Sequence, residues 1–172
     1  MLEVAIRRAV PSDAAELAAL GARTFSDAFG ADNTPEDLKA HLSTSYGIRQ
    51  QTEELANPDM VTLVAEHGGA LVAFAQVRRG PAPACVDSES PVELWRFYVD
   101  RSWHGRGVAQ RLMAASLDAT RELAGRTLWL SVWERNPRAI AFYEKTGFRN
   151  VGTKDFWVGS DRQTDFVLVR NL

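Results

Sequence analysis

The sequence predicts an α/β fold of the α+β type, with a mixed, mostly antiparallel sheet and helices on both faces. Three observations support this prediction. Hydrophobic periodicity and turn residues give the element order β-α-α-β-β-β-α-β-α-β-β. The central strand–helix–strand unit, residues 93–133, should be parallel and right-handed, whereas the glycine hairpin before it makes its own two strands antiparallel. A chain of 172 residues can bury a sizeable core, so we expect a single domain over residues 1–172.

The chain begins with a strand and a long amphipathic helix. The strand covers residues 4–7, and Ser12 or Asp13 can cap the helix that follows. Glu16 lies three residues after Asp13, which is the spacing of a capping box. The apolar side of this helix is formed by Leu17, Leu20, Thr24 and Phe25.

The middle of the chain changes from helix to strands. Thr34-Pro35 opens a second helical region, which continues, broken, to Leu55 before Asn57-Pro58. His67-Gly68-Gly69 is a hairpin signal between two β-rich runs. Asn136-Pro137 opens the last helix, which stops at Gly147. The predicted strands are 61–66, 71–78, 93–99, 127–133, 151–158 and 164–169, and the predicted central helix is 108–123.

Composition excludes several classes of protein. The chain lacks an apolar run of 18 residues, and residues 1–8 do not have the form of a signal peptide, so we expect a cytoplasmic protein without a membrane span. Cys85 is the only cysteine, which excludes an internal disulfide and argues against a cysteine-based zinc site. The net charge of -2 and the absence of basic clusters argue against nucleic acid. We therefore expect no metal, no membrane and no nucleic-acid partner.

Charge is distributed unevenly along the chain. Residues 1–93 carry 7 Lys/Arg against 14 Asp/Glu, a net charge of -7, and residues 94–172 carry 13 against 8, a net charge of +5. A basic half suits a polyanionic ligand and an acidic half suits a cationic one. Chance variation of surface charge remains the alternative explanation.

The strongest motif is a glycine turn between a strand and a helix. His104-Gly105-Arg106-Gly107 follows the strand 93–99 and opens the helix at Val108. A helix N-terminus offers free N–H groups and positive partial charge, and glycine lets a phosphate approach them. The turn lacks the third glycine of a dinucleotide-binding motif and the Gly-Lys-Ser/Thr of a Walker motif. It predicts a pyrophosphate site, with a tight turn that binds nothing as the alternative.

A second motif makes the prediction of a pyrophosphate site more specific. Asn136, then Ala139-Ile140-Ala141-Phe142-Tyr143, then Gly147-Phe148 follow the glycine turn at a fixed spacing. Together the two segments resemble the acetyl-CoA motifs of the GNAT N-acetyltransferase superfamily, with His104 where Gln or Arg is usual. The resemblance covers residues 4–169 in element order and 93–148 in motif detail. It implies that strands 93–99 and 127–133 form a splayed parallel pair.

The resemblance also implies the cofactor site. The pantetheine arm of acetyl-CoA would lie in the splay against the backbone of Phe97 and Val99, amides from His104 to Ala109 would hold the pyrophosphate, and Asn136 would reach the pantetheine. The presence of His104 in place of Gln or Arg matters little if its backbone N–H, and not its side chain, contacts the pyrophosphate. The full predicted cofactor-binding set is Phe97, Tyr98, Val99, His104, Gly105, Arg106, Gly107, Val108, Ala109, Gln110, Asn136 and Arg138.

Two residues are candidates for catalysing the direct transfer of the acetyl group from acetyl-CoA to the amine. The resemblance implies that Tyr143 donates a proton to the departing thiolate, and a phenol of ordinary pKa ~10 holds that proton at neutral pH; a plain core aromatic is the alternative. Glu93 lies where several members place a catalytic glutamate, and strand alternation would put it on the face of Phe97. The alternatives are that a water chain takes the proton of the amine, or that Glu93 is a solvated carboxylate at the strand end. We do not expect Cys85 to carry the acetyl group, because no His motif lies nearby.

The acceptor amine is inferred from a narrower resemblance and from the charge of the chain. Within the superfamily, residues 129–136, the Phe25…Phe29-Gly30…Asn33 segment and the ending Gln163-Thr164-Asp165 are most similar to the bacterial Pai-type spermine/spermidine acetyltransferases. The acidic half agrees with a polycation. Protein N-termini, other small amines, and a non-catalytic acetyl-CoA sensor remain alternatives, and a homodimer is left open. The candidate acceptor contacts are Asp27, Asp32, Glu36 and Asp37.

Overall fold

A seven-stranded sheet forms the centre of the computed structural model, which describes residues 3–172. Met1 and Leu2, the first two residues of the segment searched for a targeting signal, lie outside these described residues. The strands are β1 (Ala5–Arg8), β2 (Met60–His67), β3 (Ala70–Arg79), β4 (Pro91–Val99), β5 (Thr127–Trp133), β6 (Arg149–Val158) and β7 (Asp161–Asn171). The helices are α1 (Ala14–Phe29), α2 (Pro35–Ser45), α3 (Ile48–Ala56), α4 (Val108–Glu122) and α5 (Pro137–Lys145).

The strand order is β1-β2-β3-β4-β5-β7-β6, and β4 with β5 is the one parallel pair within residues 3–172. The other neighbouring strands pair antiparallel. This arrangement confirms the predicted mixed, mostly antiparallel sheet. The parallel pair also shows the predicted splay, because its register runs only from Pro91–Thr127 to Glu93–Trp129.

Helices cover both faces of the sheet, as predicted. On one face, α4 buries Leu112, Met113 and Leu117 against the strands, and α5 adds Tyr143 to the same cluster. On the other face, α1 buries Leu17, Leu20 and Phe25, and α2 and α3 pack partly buried leucines against that cluster. The first face is called the α4 face below, and the second the α1 face.

Two helix caps are confirmed and one is wrong. The Thr34 hydroxyl accepts the Asp37 N–H at 3.1 Å, and Asn136 Oδ1 accepts the Ala139 N–H at 3.2 Å. Asp13, by contrast, caps nothing in α1, because its carboxylate accepts from Arg7 and from the Val10 N–H. Its predicted capping-box partner Glu16 accepts the Leu71 N–H at 2.7 Å and so holds α1 to the sheet.

A buried ion pair fixes α3 against the α1 face. Arg96 Nη1 donates to Glu54 Oε2 at 2.6 Å and to Gln76 Oε1 at 2.8 Å, and Nη2 donates to the Ser45 carbonyl at 3.1 Å. The side chains of Arg96 and Glu54 are each 6% exposed. This network anchors the link between α2 and α3 beside the splay. None of the helices across residues 3–172 is long and apolar enough to span a bilayer.

Candidate functional site

A cleft of about 690 Å³ opens where β4 and β5 diverge. Beyond Glu93 the two parallel strands no longer pair, so backbone groups of Phe97, Tyr98 and Val99 line the cleft together with Ser131 to Trp133 of β5. The start of α4 and the inner side of α5 complete its wall. The splay therefore produces a slot between two strand edges that no longer pair with each other.

The glycine turn forms one end of this slot. Gly105 and Gly107 have φ angles of +73° and +79°, which L side chains rarely adopt. A Cβ at either position would have open space within 4 Å, so the backbone conformation, rather than crowding, calls for glycine. No side chain caps α4, which leaves N–H groups of its first turn free for an anion. Six of the predicted residues of the turn and helix start line the cleft: His104, Gly105, Gly107, Val108, Ala109 and Gln110.

The side chains of His104, Arg138 and Arg106 take different positions around the turn. His104 lines the cleft, and its Nε2–H donates to the Val99 carbonyl at 2.9 Å while Nδ1 accepts from Arg138 Nη1 at 2.8 Å. These two bonds define the neutral imidazole with its proton on Nε2. Arg138 thereby sits beside the turn as a fixed cation at the cleft wall. Arg106 is the predicted turn residue that does not line the cleft, and its guanidinium lies 5.3 Å from the Trp103 ring.

Asn136 and Tyr143 both face the slot from α5. Asn136 Oδ1 is engaged in the helix cap, so its amide Nδ2 is the group free to meet a ligand. Tyr143 is 8% exposed and packs edge-on against Phe97, Phe142 and Phe148. Burial raises the pKa of the Tyr143 phenol above its ordinary value. Its hydroxyl therefore keeps its proton through the physiological range and can act as a donor.

A β-bulge at Trp95 changes the position predicted for Glu93. The register passes from Gln76–Arg96 to Val77–Leu94, which leaves Trp95 without a partner on β3. The bulge reverses the alternation, so Leu94 joins Phe97 in the cluster of the α4 face and Glu93 points to the α1 face. The expectation that Glu93 and Phe97 share a face is wrong for this reason.

Glu93 lines the cleft as an ion-paired carboxylate. Arg78 Nε donates to its Oε2 at 2.7 Å, and the Glu93 side chain is 11% exposed. The Arg78 guanidinium also lies 3.7 Å from the Trp95 ring. Glu93 therefore lines the cleft with one of its two oxygens, Oε2, already bonded to arginine.

Asp165 on β7 is a cleft residue that sequence reasoning did not select as a site residue. It is 4% exposed, and its Oδ1 has no hydrogen-bond partner in the described part of the chain. Burial raises its pKa to about 6, while hydrogen bonding by Ser131 and the charge of Lys154 act in the opposite direction. A lone acidic residue before the apolar run 166–169 was the available signal, but only the sheet pairing places it beside Trp133.

The four predicted acceptor contacts separate into two pairs. Asp27 and Asp32 are exposed and line the cleft. Glu36 and Asp37 do not line it. Asp37 instead accepts from the Ser160 N–H at 2.8 Å and from the Thr34 hydroxyl, and these bonds lower its pKa. Asp37 thus connects α2 to the β6–β7 turn.

The slot fits the parts of acetyl-CoA. Uncapped amides with Arg138 beside them suit a pyrophosphate, and the unpaired strand edges suit the amides of a pantetheine arm. The arm would end near Tyr143 and the cleft residues of the α1 face. None of the residues from 3 to 172 forms a cluster of three His, Cys, Asp or Glu side chains able to hold a metal.

Comparisons with known proteins agree with this fit. A sequence model of the acetyltransferase (GNAT) family matches residues 25–148. An uncharacterised N-acetyltransferase of Mycobacterium tuberculosis is 35% identical over 161 residues, which is 94% of this chain and 99% of that protein. The crystal structure of PaiA N-acetyltransferase from Thermoplasma acidophilum in complex with coenzyme A superposes with a TM-score of 0.79 at 17% identity, covering 99% of each chain. The structural likeness shows the fold.

Two further relatives have named acceptors. The spermine/spermidine N(1)-acetyltransferase of Bacillus subtilis is 32% identical over 89 residues, 51% of this chain and 59% of that protein. The aminoglycoside N(6')-acetyltransferase type 1 of Stenotrophomonas maltophilia is 31% identical over 144 residues, 83% of this chain and 84% of that protein.

Proposed function

We propose that this chain, which belongs to the GNAT family of acetyl-CoA-dependent N-acetyltransferases, acetylates a small polycationic amine such as spermidine or spermine. The observation that carries the proposal is the set of carboxylates along the cleft. Asp27 and Asp32 lie exposed, and Glu93 and Asp165 are buried. A linear polyamine has ammonium groups spaced along its chain, so it can meet carboxylates at more than one depth of the cleft.

The size of the cleft supports a slender acceptor. The volume of about 690 Å³ has to hold the reactive end of acetyl-CoA as well as the amine. A polyamine can enter end-on, whereas an aminoglycoside is also polycationic but is broader and more rigid. Arginines and Lys154 line the same cleft, so it is local contact with the four carboxylates, and not the net charge of the cleft, that favours both over a neutral amine. The shape favours the polyamine.

The chain's own residues have separate tasks in the transfer. When bound, acetyl-CoA supplies a thioester whose carbonyl carbon accepts the amine nitrogen and whose sulfur leaves with the electrons of the C–S bond. The amides at the start of α4 would hold the pyrophosphate, and Asn136 and the β4 backbone would orient the pantetheine. Tyr143 would donate a proton to the sulfur as the C–S bond breaks. A carboxylate of the cleft would have to remove a proton from the amine.

An acceptor screen tests the proposal. Acetyl transfer is measured with spermidine, a monoamine, an aminoglycoside and a peptide with a free N-terminus. We expect the highest kcat/KM for spermidine. Asp32→Asn should raise the KM for spermidine, whereas Glu36→Gln, the same loss of charge outside the cleft, should leave it unchanged. Preference for the peptide, or equal effects of both variants, would contradict the polyamine assignment.

A further inference from the structure

We infer that Asp165 receives the ammonium group of the acceptor and takes its proton, as the general base of the acetyl transfer. The inference rests on the acetyl transfer of the proposed function, though not on the acceptor being a polyamine. Asp165 is 4% exposed and lines the cleft, and its Oδ1 has no hydrogen-bond partner within residues 3–172. A buried carboxylate oxygen without a partner is costly unless a donor reaches it. Oδ1 itself is buried, so an ammonium group would meet the Asp165 carboxylate where the residue lines the cleft.

The sheet places Asp165 on the side of the cleft opposite Tyr143. Asp165 pairs with Trp133 of β5 and with Lys154 of β6, and Trp133 belongs to the cluster of the α1 face. Tyr143 belongs to the cluster of the α4 face. The proton removed from nitrogen and the proton given to sulfur are therefore handled by groups on opposite faces of the sheet.

The proton balance requires such a group. The ammonium gives its first proton to the Asp165 carboxylate, and the freed lone pair forms the C–N bond with the acetyl carbon. The electron pair of the broken C–S bond goes to sulfur, which takes a proton from Tyr143. The second proton lost by nitrogen restores Tyr143, and Asp165 releases its proton to water. The net products are the acetamide, the free thiol and one proton.

The electrostatic surroundings suit a base that works near neutral pH. Burial raises the pKa of Asp165 to about 6, and Ser131 and Lys154 limit the rise while Glu134 adds to it. The carboxylate is then ionised at pH 7 yet strong enough to accept a proton, which is the range that favours general-base catalysis. The other charged groups that line the same cleft from neighbouring elements are Asp27, Asp32, Arg78, Glu93, Arg101, Arg135 and Arg138.

Glu93 is the competing carboxylate. Its Oε2 already accepts from Arg78 at 2.7 Å. Asp165 has no arginine partner among its hydrogen bonds, and Lys154 acts on it through charge. The carboxylate oxygen that lacks a donor is thus on Asp165, and we assign the proton transfer there.

Kinetics of Asp165→Asn against Glu93→Gln test the assignment, with the amine that the wild type acetylates best. We expect Asp165→Asn to lower kcat by ~10² to 10⁴ and to leave the acetyl-CoA Kd unchanged. In the wild type, kcat/KM should rise with pH through an apparent pKa of about 6, because the base must be ionised. Asp165→Asn should lose this rise, the acidic limb of the pH profile, and Glu93→Gln should keep it.

Two neighbouring variants test the same point without removing the carboxylate. Lys154→Met should move the limb to higher pH, because the lysine charge favours the ionised form. Glu134→Gln should move it to lower pH, because the glutamate charge opposes ionisation. A purely structural Asp165 would not produce opposite shifts. These measurements also decide the question if Asp165→Asn fails to fold.

Two results would overturn the inference. Wild-type kcat in a folded Asp165→Asn, with the limb lost in Glu93→Gln, would place the base at Glu93 and leave the proposed function intact. A wild-type enzyme that acetylates no amine in the screen would contradict the proposed function itself, and the inference with it. The two failures are distinguished by whether the wild type is active.

Discussion

Arg78 donates a hydrogen bond from Nε to Glu93 Oε2 at 2.7 Å, next to the bulge at Trp95. The bulge turns Glu93 to the α1 face, and the arginine then occupies one of its two oxygens. We interpret Glu93 as part of the charge that attracts the acceptor, while Asp165 performs the proton transfer. The two carboxylates should therefore respond differently to the loss of charge.

Glu93→Gln should raise the KM for spermidine about fivefold, because it removes a cleft carboxylate whose contact with an ammonium contributes about 1 kcal/mol. Its kcat should change much less than that of Asp165→Asn. Glu89→Gln removes the same charge from an exposed loop position outside the cleft and is the matched control. Steady-state kinetics give both constants. A collapse of kcat in Glu93→Gln alone would assign Glu93 the catalytic part that the sequence suggested.

Tyr143→Phe should lower kcat by ~10² to 10⁴ and change acetyl-CoA affinity little, because the ring and its packing against Phe97 and Phe148 are kept. Tyr46→Phe removes a second buried phenol that does not line the cleft, and serves as the control. Kinetics and calorimetric titration with acetyl-CoA measure the two effects. Wild-type kcat in Tyr143→Phe would leave Tyr143 as a packing residue only.

Gly107→Val should weaken acetyl-CoA binding at least tenfold in a folded protein. The residue has φ of +79° at the start of α4, so a branched side chain both strains the turn and stands among the free amides. Gly69→Val imposes the same kind of strain at φ of +82° in the β2–β3 hairpin and should leave binding unchanged. Calorimetric titration of both variants is the measurement. Equal affinity in the two would contradict the pyrophosphate assignment.

Arg96→Met should reduce the free energy of unfolding by about 3 to 5 kcal/mol, because it leaves the buried Glu54 carboxylate without its partner. Arg49→Met breaks an exposed pair with Glu53, at 92% and 60% side-chain exposure, and should cost only about 0.3 to 0.5 kcal/mol. Urea unfolding curves compare the two. Similar losses would show that the buried network contributes little to stability.

Local signals predicted much of the fold. Strand 127–133 matches β5 in full, and Thr34-Pro35 and Asn136-Pro137 mark the first turns of α2 and α5. Each of these depends on neighbours in sequence: an apolar run, a capping side chain, or proline at the first helical position. The last two strands extend beyond their predicted limits, because β6 and β7 stabilise each other by pairing over polar residues such as Asn150 and Arg162.

Contacts between distant segments could not be predicted in the same way. The bulge at Trp95 depends on the register with β3, so strand alternation gave the wrong face for Glu93. Asp13 and Glu16 follow a local capping pattern, yet Arg7 and the Leu71 N–H compete for their carboxylates. Asp165 enters the cleft only because β7 pairs next to β5. The cofactor end of the site could be predicted from sequence, because one continuous segment forms the glycine turn and the start of α4.

The most direct test of the proposed polycationic acceptor is the salt dependence of the preference for spermidine over a monoamine of similar length. The carboxylates of the cleft attract each extra ammonium, and the screening length of this attraction falls from about 30 Å at low salt to about 8 Å at physiological ionic strength. We predict that the ratio of the two kcat/KM values is well above one at low salt and falls as salt rises, through KM and not kcat. A ratio near one at every salt concentration would contradict the assignment of a polycationic acceptor.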